Sequence, residues 1–373
     1  MGHLSEVEFF TDAAGVPASD EDTVDFGHGQ VPRWVTTLAV LVVAALVVGL
    51  AAFAHHPPAA SAPPAANSSL DVPPSTVGLG KPIAIGPGTP PLDLAVSVPL
   101  YLLQSGHLYK VTDASAVGVA LDGPGFANVA TSAQLVLDAA ANRVWVVVLG
   151  IPGGEIVEFD ARNLRRLRTM HWPEPIGDAA ALSGHLYLAA TTGLADVAPG
   201  AVTPRLITGM RGYVASVAAD PKRARLLALV LGSGTWVRQL PVGGTVGGAE
   251  AAVPVGKGNL RVTQEGAIWV GGFASSTDGA VLMRLDPTTL RPMAASPLAS
   301  QLGPGGWIES AGDRDVWIRS TAGDGGLWCV DGRSGSVLQH WPSVPGTVTS
   351  RRGTAFVMTG GSLVPLVLDG CTG

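Results

Sequence analysis

From Leu100 onward, apolar and polar positions recur in one short pattern: an apolar strand with a large central residue, a Gly-rich turn, and a strand often ending in Asp. The large residues are Tyr101, Trp145, Tyr187, Leu227, Trp269, Trp317 and Phe356, separated by 44, 42, 40, 42, 48 and 39 positions. In the unit around Trp145, residues 134–138 alternate apolar and polar, and residues 139–142 form a turn. Residues 143–149 are a near-continuous apolar run, as expected of a strand buried on both faces. Residues 155–160 and 165–172 supply a third and a fourth strand, and His171-Trp172-Pro173 recurs as His340-Trp341-Pro342. Leu227 takes the anchor position without an aromatic ring, which points to packing rather than ring chemistry.

Four short strands per unit of about 40 residues predict an all-β fold: a β-propeller of about seven four-stranded blades. The last unit offers strands near 347–350, 355–358 and 363–368 but no fourth. Upstream of the first unit, residues 81–86 (KPIAIG) are a spare strand. The expectation is that residues 82–85 pair beside the C-terminal strands and close the ring, leaving no open edge.

Residues 34–54 (WVTTLAVLVVAALVVGLAAFA) carry no charge. A helix of that length spans roughly 30 Å, the thickness of a bilayer core, with Trp34 as an interfacial anchor. An uncleaved signal-anchor is favoured over a cleaved signal peptide, because the run is long and the preceding residues are acidic. Ala52-Phe53-Ala54 nevertheless fits a cleavage site, so that alternative stays open. The organisation expected is an acidic disordered cytoplasmic tail (1–33), a transmembrane helix (34–54), a Pro/Ala-rich linker (55–79) and a propeller ectodomain (80–373). Arg33 before the span, and no Lys or Arg after it until Lys81, places the N-terminus in the cytoplasm and the propeller outside. Ten prolines between His55 and Pro91 suit an extended stalk.

Charge adds one exclusion. Residues 1–33 hold seven acids against Arg33, while the remainder balances 22 acids with 22 bases. No basic stripe exists for nucleic acid.

Chemistry-bearing motifs are few. Cys329 and Cys371 are a disulfide candidate in an oxidising compartment, or else a buried thiol and an exposed one. The histidines His107, His171, His185 and His340 show no metal-ligand spacing, and His107 and His185 fall in different strands of their units. Asp113, Asp160, Asp286 and Asp331 end third strands and are expected to cap turns. The glycines of 243–248 lack the features of a phosphate loop. Neither a cofactor nor a metal site is called for, and no catalytic residues are assigned.

Three blade-to-blade loops carry an aromatic residue: Phe126, Tyr213 and Trp307. With Asn128, Asp178 and Arg211 in loops of the same type, they either line a shallow ligand pocket or plug gaps between blades.

Units such as NRVWVVVLGIPGGEIVEFDARNLRRL and DVWIRSTAGDGGLWCVDGRSGSVLQHW resemble the blades of YVTN-type, NHL-type and quinoprotein-like propellers, over roughly residues 80–373. The WD40 signature is absent. The excess of 19 Arg over 4 Lys, with abundant Ala, Gly and Val, is similar to proteins of high-GC bacteria such as actinobacteria. The resemblance implies a membrane-tethered, non-catalytic binding or scaffolding module for a protein, peptide or cell-envelope ligand. It also implies an alternative: a lyase, lactonase or quinone-dependent dehydrogenase with a metal at the channel mouth. A sensor reporting through the acidic tail is the third class.

Overall fold

The computed structural model describes residues 78–79, 83–84, 93–95 and, with short interruptions, 100–367. The 34–54 run, the acidic tail and the Pro-rich linker lie outside them. Among the described residues no helix is long and apolar enough to cross a membrane.

Seven antiparallel sheets follow one another along the described chain, each strand pairing with the next in sequence. They are the expected blades. The first strands of blades 1–7 are Asp93–Ala95, Ala133–Asp138, Ile176–Leu182, Tyr213–Asp220, Val255–Val262, Gly306–Ala311 and Thr347–Arg351. Each packs beside the first strand of the next blade, from blade 1 through blade 7. These strands form the inner wall, and the later strands of each blade step outward.

All seven large residues of the repeat fall in second strands. Tyr101, Trp145, Tyr187, Leu227, Trp269 and Trp317 are buried, and Phe356 is half-buried. In Arg143–Val148, Val144, Val146 and Val148 pack with Tyr101, Leu103 and Leu108 of blade 1. Trp145 and Val147, pointing the other way, pack with Leu186 and Leu188 of blade 3. Strand alternation puts successive side chains on opposite faces, so a strand between two blades is apolar throughout. The same division into blade-to-blade cores recurs at the later junctions.

The polar tips of three anchors reach the next blade. Tyr101 Oη donates to Ala161 O (2.5 Å), Gly243 N donates to Tyr187 Oη (2.9 Å), and Trp269 Nε1 donates to Gly332 O (2.9 Å). Burial pushes the Tyr187 hydroxyl up to about 12, opposed by the Gly243 bond and helped by the Asp196 charge. The ring stays neutral and acts in packing. Blade 5 also needs glycine at one close approach: a Cβ on Gly271 would lie 2.8 Å from Ile308 Cγ1 and 2.9 Å from Gly306 O.

The turns after the third strands of blades 2, 5 and 6 share one geometry. Asp160 Oδ1 accepts from Arg162 N (2.8 Å), Asp286 Oδ1 from Thr288 N (3.0 Å) and Thr289 N (2.7 Å), and Asp331 Oδ1 from Arg333 N (3.1 Å) and Ser334 N (2.5 Å). The residue four beyond each Asp has positive φ: Leu164 (56°), Leu290 (60°) and Gly335 (82°). The two leucines tolerate this costly conformation because their side chains are buried. The aspartates are turn caps, as expected; Asp113 lies outside the described residues.

Cys329 is buried in the third strand of blade 6, Leu327–Asp331. Cys371, the other member of the disulfide candidate, lies outside the described residues. His185 opens a second strand and His107 a third, so the two are not equivalent.

Blade 7 is completed from the N-terminal side. Its third strand, Ser362–Val367, pairs with Gly78–Leu79 (Gly78 with Val367, Leu79 with Leu366) and with Ile83–Ala84 (Ile83 with Leu363, Ala84 with Ser362). The closing strand anticipated at 82–85 is present, and a second short piece precedes it.

Deleting residues 78–84 should expose the edge of Ser362–Val367 and lower the thermal midpoint by at least about 5 °C, whereas deleting 57–75 should not. Equal midpoints for the two truncations, by calorimetry, would refute this closure.

A second expectation concerns acid. The Asp160 carboxyl is held below the ordinary carboxylate range chiefly by the Arg162 N–H, and that of Asp286 by the Thr289 N–H and hydroxyl. For Asp331, burial pushes upward but is outweighed by the Ser334 and Arg333 bonds. Carboxylates depressed in the folded state contribute stability above the unfolded value near 4, and lose it as pH falls through the folded value. The triple variant D160N/D286N/D331N should therefore lose less thermal stability between pH 5 and pH 2.5 than the parent. An equal loss would mean that these turns do not set the acid limit.

Candidate functional site

The first strand of each blade has an inner edge that no further strand covers, so its backbone N–H and C=O groups need other partners. Polar side chains of the preceding blade supply them. Gln134 of blade 2 brackets Ala179 of blade 3, donating from Nε2 to its O (3.1 Å) and accepting from its N at Oε1 (2.9 Å). Asp178 Oδ2 accepts from Val217 N of blade 4 (3.2 Å). Ser216 Oγ accepts from Leu260 N of blade 5 (3.1 Å), and Asn259 brackets Ile308 of blade 6 (2.6 and 3.2 Å). Glu309 Oε2 accepts from Val348 N of blade 7 (2.9 Å).

Register explains the recurrence. Gln134, Asp178, Ser216 and Asn259 each lie opposite the residue two beyond their blade's anchor: Val147, Ala189, Leu229 and Gly271. Glu309 occupies the irregularity between Ile308 and Ser310 and is also bound by Arg319.

Asp178 is the hub. Its two oxygens accept from Gln134 Nε2 (3.0 Å), Ala179 N (3.0 Å), Ser216 Oγ (2.5 Å), Val217 N and Arg261 Nη1 (2.8 Å). Arg261 belongs to blade 5 and reaches past Ser216 of blade 4 to blade 3. The sequence pattern suggests a blade-to-blade loop for Asp178. It sits instead inside Ile176–Leu182, buried, with its acceptor capacity filled.

Above this network a cavity of about 520 Å³ opens between the first strands of blades 2 to 7. Tyr213 and Trp307 stand at its wall with Lys257 and Asn259. Tyr213 is the first residue of the first strand of blade 4 and Trp307 the second residue of that of blade 6, rather than lying in loops. Tyr213 and Trp307 are 44 % and 37 % exposed, so part of each residue faces solvent at the cavity. The Tyr213 hydroxyl lies over Gly177 of blade 3, 3.7 Å from where a Cβ would be, an ordinary contact distance.

Three of the six candidate residues thus border one cavity: Asp178, Tyr213 and Trp307. Arg211 closes the fourth strand of blade 3, Arg205–Arg211, and its side chain is outside what is described. Phe126 and Asn128 lie outside the described residues. Gln134, Ser216, Asn259, Arg261 and Glu309 were not anticipated. For Gln134, Ser216 and Glu309 the signal is a polar residue within a largely apolar first strand, whereas Asn259 and Arg261 share the more polar strand Val255–Val262. Among the described residues, no three His, Cys, Asp or Glu side chains lie together as metal ligands.

Neither a protein-family profile nor a curated protein sequence matches the chain. Solved structures do. The chain is similar to the β-propeller domain of Cps50 (Swd1) from Myceliophteria thermophila, with TM-score 0.54 and 10 % identity, covering 79 % of this chain and all of that one. It resembles a chain of the mitotic checkpoint complex (TM-score 0.57, 11 % identity, 84 % and 97 % covered). Hydrazine synthase of Kuenenia stuttgartiensis is a third (TM-score 0.53, 10 % identity, 78 % and 100 % covered). At such identities the likeness shows the fold alone: a β-propeller. The neighbours include an assembly of proteins and an enzyme, so fold does not choose between binding and catalysis.

Replacing Asp178 by Ala would strand Arg261 and the inner-edge donor of Val217. The expected loss is about 3 kcal/mol, read from chemical unfolding. Ser216→Ala, which removes a neutral group, should cost about 1 kcal/mol. Equal small losses for both would show that Asp178 is not the hub.

Proposed function

We propose that this protein is a membrane-tethered, extracytoplasmic propeller that acts as a non-catalytic binding module, taking a protein, peptide or cell-envelope ligand at the channel mouth. One observation carries the reading. Two half-exposed aromatic rings, Tyr213 and Trp307, border an open cavity whose carboxylates are already committed to structural partners. Large amphipathic rings at a concave site are suited to recognition. Carboxylates saturated by backbone N–H groups and arginines are poorly placed for acid–base work.

The tether rests on the uncharged run 34–54 and the Pro-rich residues that follow it. On this reading the N-terminus is cytoplasmic and the propeller stands outside the membrane on its stalk.

Full-length protein in maltoside micelles should be tested by co-sedimentation with purified cell-wall sacculi, and on an array of extended peptides. Binding to one of these is expected, weakened at least about tenfold in the double variant Tyr213→Ala/Trp307→Ala. Failure of the parent to bind either probe, or equal binding by the variant, would overturn the proposal.

A further inference from the structure

The strand Tyr213–Asp220 begins at the channel mouth and ends on the opposite rim, where a second cavity of about 450 Å³ lies between blades 4, 5 and 6. Five cations line it: Lys222, Arg223, Arg284, Arg314 and Arg333, against two acids, Glu265 and Asp286. That is an excess of three positive charges among the lining residues, in a part of the chain whose charges cancel overall.

Neither acid is spare. Asp286 turns Oδ1 into its own turn, onto Thr288 N and Thr289 N, and Glu265 pairs with Arg314 (Nε to Oε1, 3.3 Å). Several of the cations are also held in place. Arg223 Nη1 bonds Asp220 Oδ2 and Gly266 O, each at 3.1 Å, and Lys222 Nζ bonds Glu265 O at 3.1 Å. Arg284 donates Nε only to the soft Met293 Sδ (3.2 Å). Among the described residues, Lys222, Arg284 and Arg333 form no ion pair. A guanidinium has five N–H donors, so the arginines keep most of theirs for a ligand.

We infer that this cleft binds a phosphate group carried by a small molecule or a headgroup. A carboxylate is satisfied by one arginine fork, whereas cationic donors lining one cleft from three blades suit a tetrahedral oxyanion bearing up to two charges. The cavity exceeds the size of phosphate itself and falls in the range of small-molecule sites. It does not depend on the channel mouth, which lies at the other end of the same strands.

The test is calorimetric titration of the full-length protein in maltoside micelles with inorganic phosphate, with glycerophosphoglycerol as a soluble diester headgroup, and with acetate. Saturable binding of phosphate or the diester in low salt is expected, and which of them binds tells a free anion from a headgroup. The variant R284Q/R333Q should weaken it at least about tenfold, and added salt should weaken it in the parent. Should that variant not fold, Lys222→Gln should still weaken binding about threefold. Tyr213→Ala/Trp307→Ala should leave it unchanged. The inference fails if neither phosphate species saturates, if acetate binds equally well, or if the folded charge variants bind like the parent.

Discussion

The inner edge of each first strand is the constraint on which the rest of this propeller depends. Those backbone groups face an axis that no further strand fills, and each one buried without a partner costs about 1–3 kcal/mol. In blades 2 to 6 the chain answers with one polar side chain aimed at the backbone of the next blade: Gln134 to Ala179, Asp178 to Val217, Ser216 to Leu260, Asn259 to Ile308, Glu309 to Val348. Every link satisfies one blade and fixes the position of its neighbour. Arg261 then ties blade 5 back to blade 3 through Asp178. Blade order is thus written at the axis in hydrogen bonds, and farther out in apolar packing.

The apolar part follows from the same geometry. A second strand is covered on both sides by other blades, so both of its faces belong to a core, and each core belongs to two blades. Trp145 therefore packs against blade 3 while its neighbours Val144 and Val146 pack against blade 1. At an anchor position volume matters more than ring chemistry. Leu227 fills the place in blade 4 that tryptophan fills in blades 2, 5 and 6. The polar tips of Tyr101, Tyr187 and Trp269 find a backbone group in the following blade, while Trp317 Nε1 bonds the Asp315 carboxylate of its own strand.

This explains what the sequence revealed and what it hid. Anchors, turns and the spare strand before the first blade announce themselves, because burial and backbone conformation leave strong local marks: an apolar run, an Asp before a turn, a missing fourth strand. The axis leaves almost none. Gln134, Ser216 and Asn259 are single polar residues whose meaning appears only once register places them opposite the anchor plus two. Asp178 was noticed, but as a loop residue. A strand irregularity between Ile176 and Asp178 hides its place in the strand. Tyr213 and Trp307 were legible as non-repeating aromatics, yet their place at the start of first strands beside one cavity was not.

The division between structural and available groups carries the functional argument furthest. Asp178 and Glu309, the carboxylates that polarity alone would nominate as functional, are bound by the scaffold on every side that the structure describes. What the fold leaves exposed is of another kind: rings near the start of first strands at the mouth, and cations around the cleft on the opposite rim. A propeller satisfies its own polar groups at the axis because each blade must hold the next. Residues at strand ends are released from that duty, and there this chain places the aromatic and basic side chains that its repeat does not require.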